Sequence, residues 1–304
     1  MRNFISLADL TPAELDAIVR RAVRFGSSDP VERVLEGHAA GIFFTKTSTR
    51  TRTSFWAGAT RLGADVITFG PGELQLSTGE SIEDTARVLG EYLDVLVIRT
   101  NGEMAEMRRL GHNNKLAVVN ALSWGEHPTQ AVADLAMLVE EFGELGGRHL
   151  LYAGEGNSTA AALALATALT PGFRLSLVCP PGYGLPKQAL DTLSELTGGQ
   201  HQVSQYETFD EVTGPVDAVY TSRWQTMGTS KADPNWLWAF KDYRVSTVLL
   251  ERFSGPDTIF LHDLPAIRGQ EVEDAVLDGQ SSRAWRQAHH KMTAAMAVLE
   301  WCVA

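Results

Sequence analysis

Apolar residues in this chain fall into short unbroken runs, separated by stretches with helical periodicity. "AAGIFF" (39–44), "DVITF" (65–69), "DVLVI" (94–98) and "LAVVN" (116–120) occupy the first half. Runs of this length without alternation predict strands buried on both faces, the habit of a parallel sheet. Stretches such as "SIEDTARVLGEYL" supply the crossover helices between them. The first helix is legible residue by residue. Thr11 caps it, Pro12 suits its first turn, Glu14 completes a capping box, and Leu15, Ile18, Val19 and Ala22 form one apolar stripe. A long helical pattern, "HPTQAVADLAMLVEEFG" (127–143), then interrupts the rhythm, which restarts with "HLLYAG" (149–154), "RLSLVC" (174–179), "DAVYTS" (217–222) and "TIFLHD" (258–263). "AWRQAHHKMTAAMAVLEWCV" closes the chain as one amphipathic helix. The expectation is an α/β protein of two open, doubly wound parallel-sheet domains joined near residues 127–148. One spans 1–135 and regains the C-terminal helix 285–304; the other spans 148–284.

Composition narrows the function. The chain has 304 residues, a formal net charge of −11 and a pI near 5.2. Such a balance argues against a general nucleic-acid or anionic-membrane surface. The longest apolar run, "AAALALATAL" (160–169), is too short to span a bilayer, and the N-terminus lacks a signal-peptide core. Cys179 and Cys302 show no CxxC spacing, so a disulfide framework or metal site is not expected and a cytoplasmic location fits.

The unusual residues lie where open α/β sheets bind ligands, just past the strands. "FTKTSTRTRTSF" (44–55) crowds hydroxyls and two arginines after the first strand. Ser48, Thr49, Arg50 and Thr51 at a helix N-terminus read as a phosphate cradle, against the bland alternative of an N-cap and a solvated turn. Arg99 ends the third run; "HPTQ" (His127 to Gln130) follows the fourth, and "HDLP" (His262 to Pro265) follows "TIFL". Together they suggest an anion site beside an oxyanion donor. "AGEGNSTA" (153–160) is a weak dinucleotide signal. Thr159 stands in place of the third glycine, and no acidic residue ends the next strand.

In this order, "STRTR", "GESIEDTARVL", "IRT", "HPTQ", "GEGN", "TMG" and "HDLPA" resemble the aspartate/ornithine carbamoyltransferase family over nearly the whole chain. The resemblance implies a carbamoyl-phosphate domain, an amino-acid domain, and a homotrimer with active sites shared between subunits. It implies no metal and no organic cofactor. It assigns carbamoyl phosphate to Ser48, Thr49, Arg50, Thr51, Gln75, Arg99, His127, Gln130, the backbone of Leu264, and Lys291. Gln75 would reach a neighbouring subunit's site. The amine acceptor would meet Asn157, Ser222, Arg223, Gln225, Thr226, Met227 and Asp263. Arg50, Thr51, Arg99, His127 and Asp263 would carry the catalysis.

The acceptor side departs from the family. Ser222 replaces the aspartate of the ornithine enzymes' "DxxxSMG", Asp263 replaces the cysteine of "HCLP", and Lys291 stands for an arginine. "SRWQ" (222–225) resembles the "TRxQ" of aspartate enzymes, whose "HPLP" is absent. Trp56 takes the place of a glutamate. The expected activity is therefore carbamoyl transfer to a primary amine of an amino-acid-like acceptor other than free ornithine, such as a shorter diamino acid or a peptide side chain. The alternatives are an ordinary ornithine carbamoyltransferase and a silent carbamoyl-phosphate-binding paralogue.

Overall fold

The computed structural model describes residues 1–27, 30–74, 78–112, 114–225 and 230–304. They divide into two compact units, one of Met1–Glu140 with His289–Ala304, the other of Glu141–Ala288.

The first unit starts with α1 (Pro12–Phe25), whose capping box forms as expected: Thr11 Oγ1 accepts from Glu14 N–H, and the Glu14 carboxylate accepts from Thr11 N–H at 2.9 Å. Then follow β1 (Ala39–Phe44), α2 (Thr49–Arg61), β2 (Asp65–Phe69), α3 (Ile82–Leu89), β3 (Val95–Arg99), α4 (Met104–Leu110), β4 (Ala117–Leu122) and α5 (Pro128–Phe142). The sheet is wholly parallel, in the order β2-β1-β3-β4. Leu93, Leu96, Ile98, Met107, Leu110 and Val118 form part of its core. Gly41 packs closely: an added Cβ would lie 2.7 Å from a Leu93 methyl and 2.9 Å from a Leu96 methyl, so those side chains would have to shift. The third strand begins at Val95 and runs to Arg99, one residue later than its apolar run. Its pairing with β4 shifts between Ile98 and Arg99, so that Arg99 faces Leu122. Such an irregularity re-aims the side chain at a strand end.

The second unit contains β5 (His149–Ala153), α6 (Ser158–Ala168), β6 (Arg174–Val178), α7 (Lys187–Thr197), β7 (Val203–Tyr206), β8 (Val216–Thr221), α8 (Leu237–Phe240), α9 (Thr247–Phe253), β9 (Ser254–His262) and α10 (Asp274–Leu277). Its five parallel strands run in the order β7-β6-β5-β8-β9. The strand β7 has no counterpart among the apolar runs. It is a four-residue edge strand with half its side chains exposed. The helix α11 (Ala284–Val303) ends the fold, and from His289 onward its residues group with the first unit. Both units bear out the expected fold class, an α/β architecture with two parallel sheets.

Candidate active site

Within the first unit, β1 delivers the chain to the N-terminus of α2. Ser48 is the N-cap, with extended backbone, but its side chain caps nothing. Thr49, Arg50 and Thr51 form the first turn, whose N–H groups have no intrahelical acceptor. The strand end of β3 lies beside it. Arg99, buried, donates from Nη1 to Thr51 Oγ1 at 3.0 Å, while its carbonyl accepts from Thr45 N–H at 3.0 Å. From the loop after β4 comes His127, also buried, with Thr129 Oγ1 3.5 Å from its Nδ1. Burial pushes the His127 imidazole well below its usual range, and the positive charges of Arg99 and Lys291 add to the effect. The ring is therefore neutral near pH 7, and one of its nitrogens carries a proton to donate.

The α5 helix places Gln130 one turn further on. Its Nε2 donates to Asp134 Oδ1 at 2.7 Å, and its Oε1 accepts from Lys291 of α11. Thr51, Ser54, Phe55, His127, Thr129, Gln130 and Lys291 line a small recess. Thus Thr51, His127, Gln130 and Lys291, which sequence reasoning named, converge on one recess, and Arg99 touches it through Thr51. The reading missed Asp134. An acidic residue four positions after a glutamine on one helix was the available signal. Gln75 lies outside the described residues.

The second unit gathers another cluster at the carboxyl ends of β5, β8 and β9. Asn157 caps α6, its Oδ1 accepting from Thr159 and Ala160 N–H at 3.0 and 3.1 Å. Its Nδ2 donates to Ser222 Oγ at 2.9 Å, and Ser222 Oγ lies 2.5 Å from Tyr152 Oη. Burial raises the Tyr152 phenol well above its ordinary value, so it keeps its proton. The position expected to hold a carboxylate is thus a neutral, saturated hydroxyl network. Asp263 accepts from Thr159 Oγ1 at 3.1 Å. Arg268, five residues further on, pairs with Asp274 and Asp278.

The turn after Asp263 is tightly held. Leu264 adopts φ +52°, a left-handed conformation that leucine disfavours. Its N–H donates to His262 Nδ1 at 2.8 Å, which leaves the ring proton on Nε2, 3.2 Å from Glu271 Oε1. The same carboxylate oxygen accepts from Ile267 N–H at 2.6 Å. His262 and Glu271 are wholly buried.

Arg223 has a buried Nε that meets no hydrogen-bond partner among the described residues. Gln225 is described; Thr226 and Met227 lie outside the described residues. Just beyond, Lys231 pairs with Glu155 and sits 4.8 Å from the Tyr183 ring centroid and 5.1 Å from that of Trp236. Sequence reading did not single out Lys231, because only the fold brings those rings around it. Gly156 of the "GEGN" loop has a packing role: a Cβ would lie 2.3 Å from the Gly184 backbone. Its presence therefore needs no dinucleotide.

Residues 2–140 match the carbamoyl-phosphate-binding domain model of aspartate/ornithine carbamoyltransferases, and residues 146–302 match their Asp/Orn-binding domain model. The chain is 36% identical over 298 residues to an ornithine carbamoyltransferase of Nostoc punctiforme, covering 98% of this chain and 96% of the relative. It is 38% identical over 307 residues to one from a Parafrankia species, covering 99% and 95%. Among solved structures, the ornithine carbamoyltransferase of Gloeobacter violaceus aligns with a TM-score of 0.86 at 34% identity, covering 100% of this chain and 99% of that one. That of Pyrococcus furiosus aligns with a TM-score of 0.88 at 31% identity, covering 98% and 96%. The chain is a carbamoyltransferase and belongs to the aspartate/ornithine carbamoyltransferase family.

Proposed function

We propose that this enzyme transfers the carbamoyl group of carbamoyl phosphate to the side-chain amine of a diamino acid. The recess in the first unit is the donor site. The observation that carries this reading is the buried Arg99–Thr51 pair beside a neutral His127. Arg50 and the N–H groups of the first turn of α2, with Ser48 and Thr49, hold the phosphate. Thr51, Arg99 and His127 face the carbonyl oxygen, where charge develops. A neutral amine attacks the carbonyl carbon, the C–N bond forms, and the C–O bond to phosphate breaks as phosphate leaves. The nitrogen loses one proton, and Asp263 accepts it as general base.

Ornithine is the acceptor that the relatives' names support, and it replaces the sequence-based expectation as the leading reading. A second reading, a shorter or peptide-borne amine, is favoured by one observation: Ser222 sits in an uncharged network with Tyr152 and Asn157 and offers no anion to an ammonium. Arg223, with its open Nε, suits a carboxylate or a peptide carbonyl. Phosphate release and product mass should be measured with ornithine, 2,4-diaminobutyrate, 2,3-diaminopropionate, aspartate and a lysine-like peptide amine. Ornithine giving the highest kcat/KM would eliminate the second reading; a shorter diamino acid giving it would eliminate the first. Arg50→Ala should reduce turnover with the best acceptor by at least ~10²-fold, the scale of losing one preorganised charge-stabilising donor. Near-normal turnover in that variant would remove the donor-site assignment. The resemblance also supports a homotrimer as the working assembly.

A further inference from the structure

The buried carboxylate of Asp134 plays no part in the mechanism just described. It is wholly buried on α5, four residues from Gln130, so the two share one helix face. A buried carboxylate is costly unless it is bonded, and here it receives Gln130 Nε2 at 2.7 Å. On the other side of the amide, the Lys291 ammonium meets Oε1. An ammonium has only donors and a carboxylate offers acceptors, so both partners select the same orientation of the amide. Gln130 cannot flip without placing its NH₂ against Lys291 and its oxygen against Asp134.

The consequence concerns what the recess can recognise. An amide oxygen has two lone pairs, and Lys291 uses one. The other remains for a ligand that brings an N–H. An amide free to rotate would accept a methyl, carbonyl or amine neighbour almost equally; a locked one penalises any donor lacking a hydrogen there. We propose that Asp134 is a specificity-determining positioning residue: by locking the Gln130 amide it makes the enzyme select a carbamoyl phosphate over an acyl phosphate of the same shape. This rests on the donor-site reading above. It adds a residue and a discrimination that reading does not contain.

Two stable phosphonates test it without turnover. Phosphonoacetamide and 2-oxopropylphosphonate differ only in an NH₂ against a CH₃ on the carbonyl. Titration calorimetry of the wild-type enzyme should show a preference for the amide. In Asp134→Asn the acceptor-only carboxylate becomes a group that can also donate, so Lys291 alone still selects the orientation of Gln130, and the preference should fall by roughly ten-fold, the scale of weakening a hydrogen bond to a charged group. The affinity of 2-oxopropylphosphonate and of inorganic phosphate should stay within about three-fold of wild type. Equal weakening of both phosphonates, or an unchanged preference, would overturn the proposal, because a merely structural carboxylate moves both together. If Asp134→Asn does not fold, Asp134→Ala, which removes the buried charge altogether, answers the same question with the same expected outcome. Arg50→Ala provides the control for the underlying reading. If it leaves both phosphonate affinities intact, the recess is not the donor site; if it weakens both while Asp134→Asn changes no preference, only the present inference fails.

Discussion

Two adjacent residues in the loop after β4 respond to burial in opposite ways. Burial lowers His127 and raises Glu126 to about 7. Glu126 accepts from Leu7 N–H at 2.8 Å and Ser6 Oγ at 2.6 Å, yet desolvation outweighs these bonds. The folded chain keeps a proton on Glu126 that the unfolded chain releases above about pH 4.5. Its contribution to stability is therefore greatest in acid and declines as pH rises from 4.5 towards 7, by at most about 3 kcal/mol. Glu126→Gln removes that dependence. Melting curves at pH 5 and pH 8 should show the variant losing less stability than the wild type across the interval; parallel losses would refute the assignment. For His127 the sign is reversed. Its lowered value means that stability is lost as pH falls below 6.5, and that its protonation leaves no inflection in kcat/KM for carbamoyl phosphate at 6.5 or above. An inflection near 6.5 that vanishes in His127→Asn would contradict a neutral ring.

At the level of elements, two helix N-termini diverge in use. Asn157 satisfies two N–H groups of α6, so Asn157→Ala should cost about 1–2 kcal/mol of stability. Ser48 satisfies none in α2, so Ser48→Ala should cost well under ~1 kcal/mol while weakening inorganic phosphate binding. Chemical denaturation and calorimetry on the pair separate a capping residue from a ligand-facing one; a large stability loss for Ser48→Ala would place it with the caps. The sequence showed where α2 begins, because the strand run before it and its hydroxyl-rich turn are local signals; it did not mark the start of α6. It also exposed β1 and β2 to the residue, and the ends of β5 and β6 to within one residue. Edge strand β7 stayed hidden because "VSQY" buries one side chain fully and is stabilised by pairing with β6, a contact no local pattern encodes. The same limit explains the site. Ser48 to Thr51, Arg99, His127 and Gln130 advertise themselves at strand ends. Tyr152, Asp134 and Lys231 acquire their partners only through tertiary folding.

Across the whole molecule, no helix among the described residues is long and apolar enough to cross a membrane, and no His/Cys/Asp/Glu group among them could hold a metal ion. The first unit leaves Trp56, Tyr92 and Ile67 about half exposed or more in the single chain. If the enzyme assembles as proposed, light scattering at micromolar concentration should give three times the 33.1 kDa chain mass. A monomer would refute that assembly. A transition that carbamoyl phosphate shifts upward in temperature is also expected, since a ligand at a hundred times its Kd adds about 2.7 kcal/mol.

The chain route through the first unit has a temporal consequence. Met1–Glu140 is joined by His289–Ala304, with all of Glu141–Ala288 between them. The returning segment is tied in by Arg21 on Glu300 at 2.6 Å and by Arg2 N–H on the Cys302 carbonyl at 2.9 Å. During translation, at ordinary elongation rates, roughly ten to thirty seconds separate the two pieces. The part of the protein made first is therefore finished last. The recess beside His127 lacks the wall that carries Lys291 until that helix emerges from the ribosome. Nascent chains stalled by a linker placed after residue 288, long enough to bring that residue out of the ribosome, should show a protease-resistant second unit and a cleavable first one. Nascent chains in which the first unit already resists protease would show that its core closes without the returning helix.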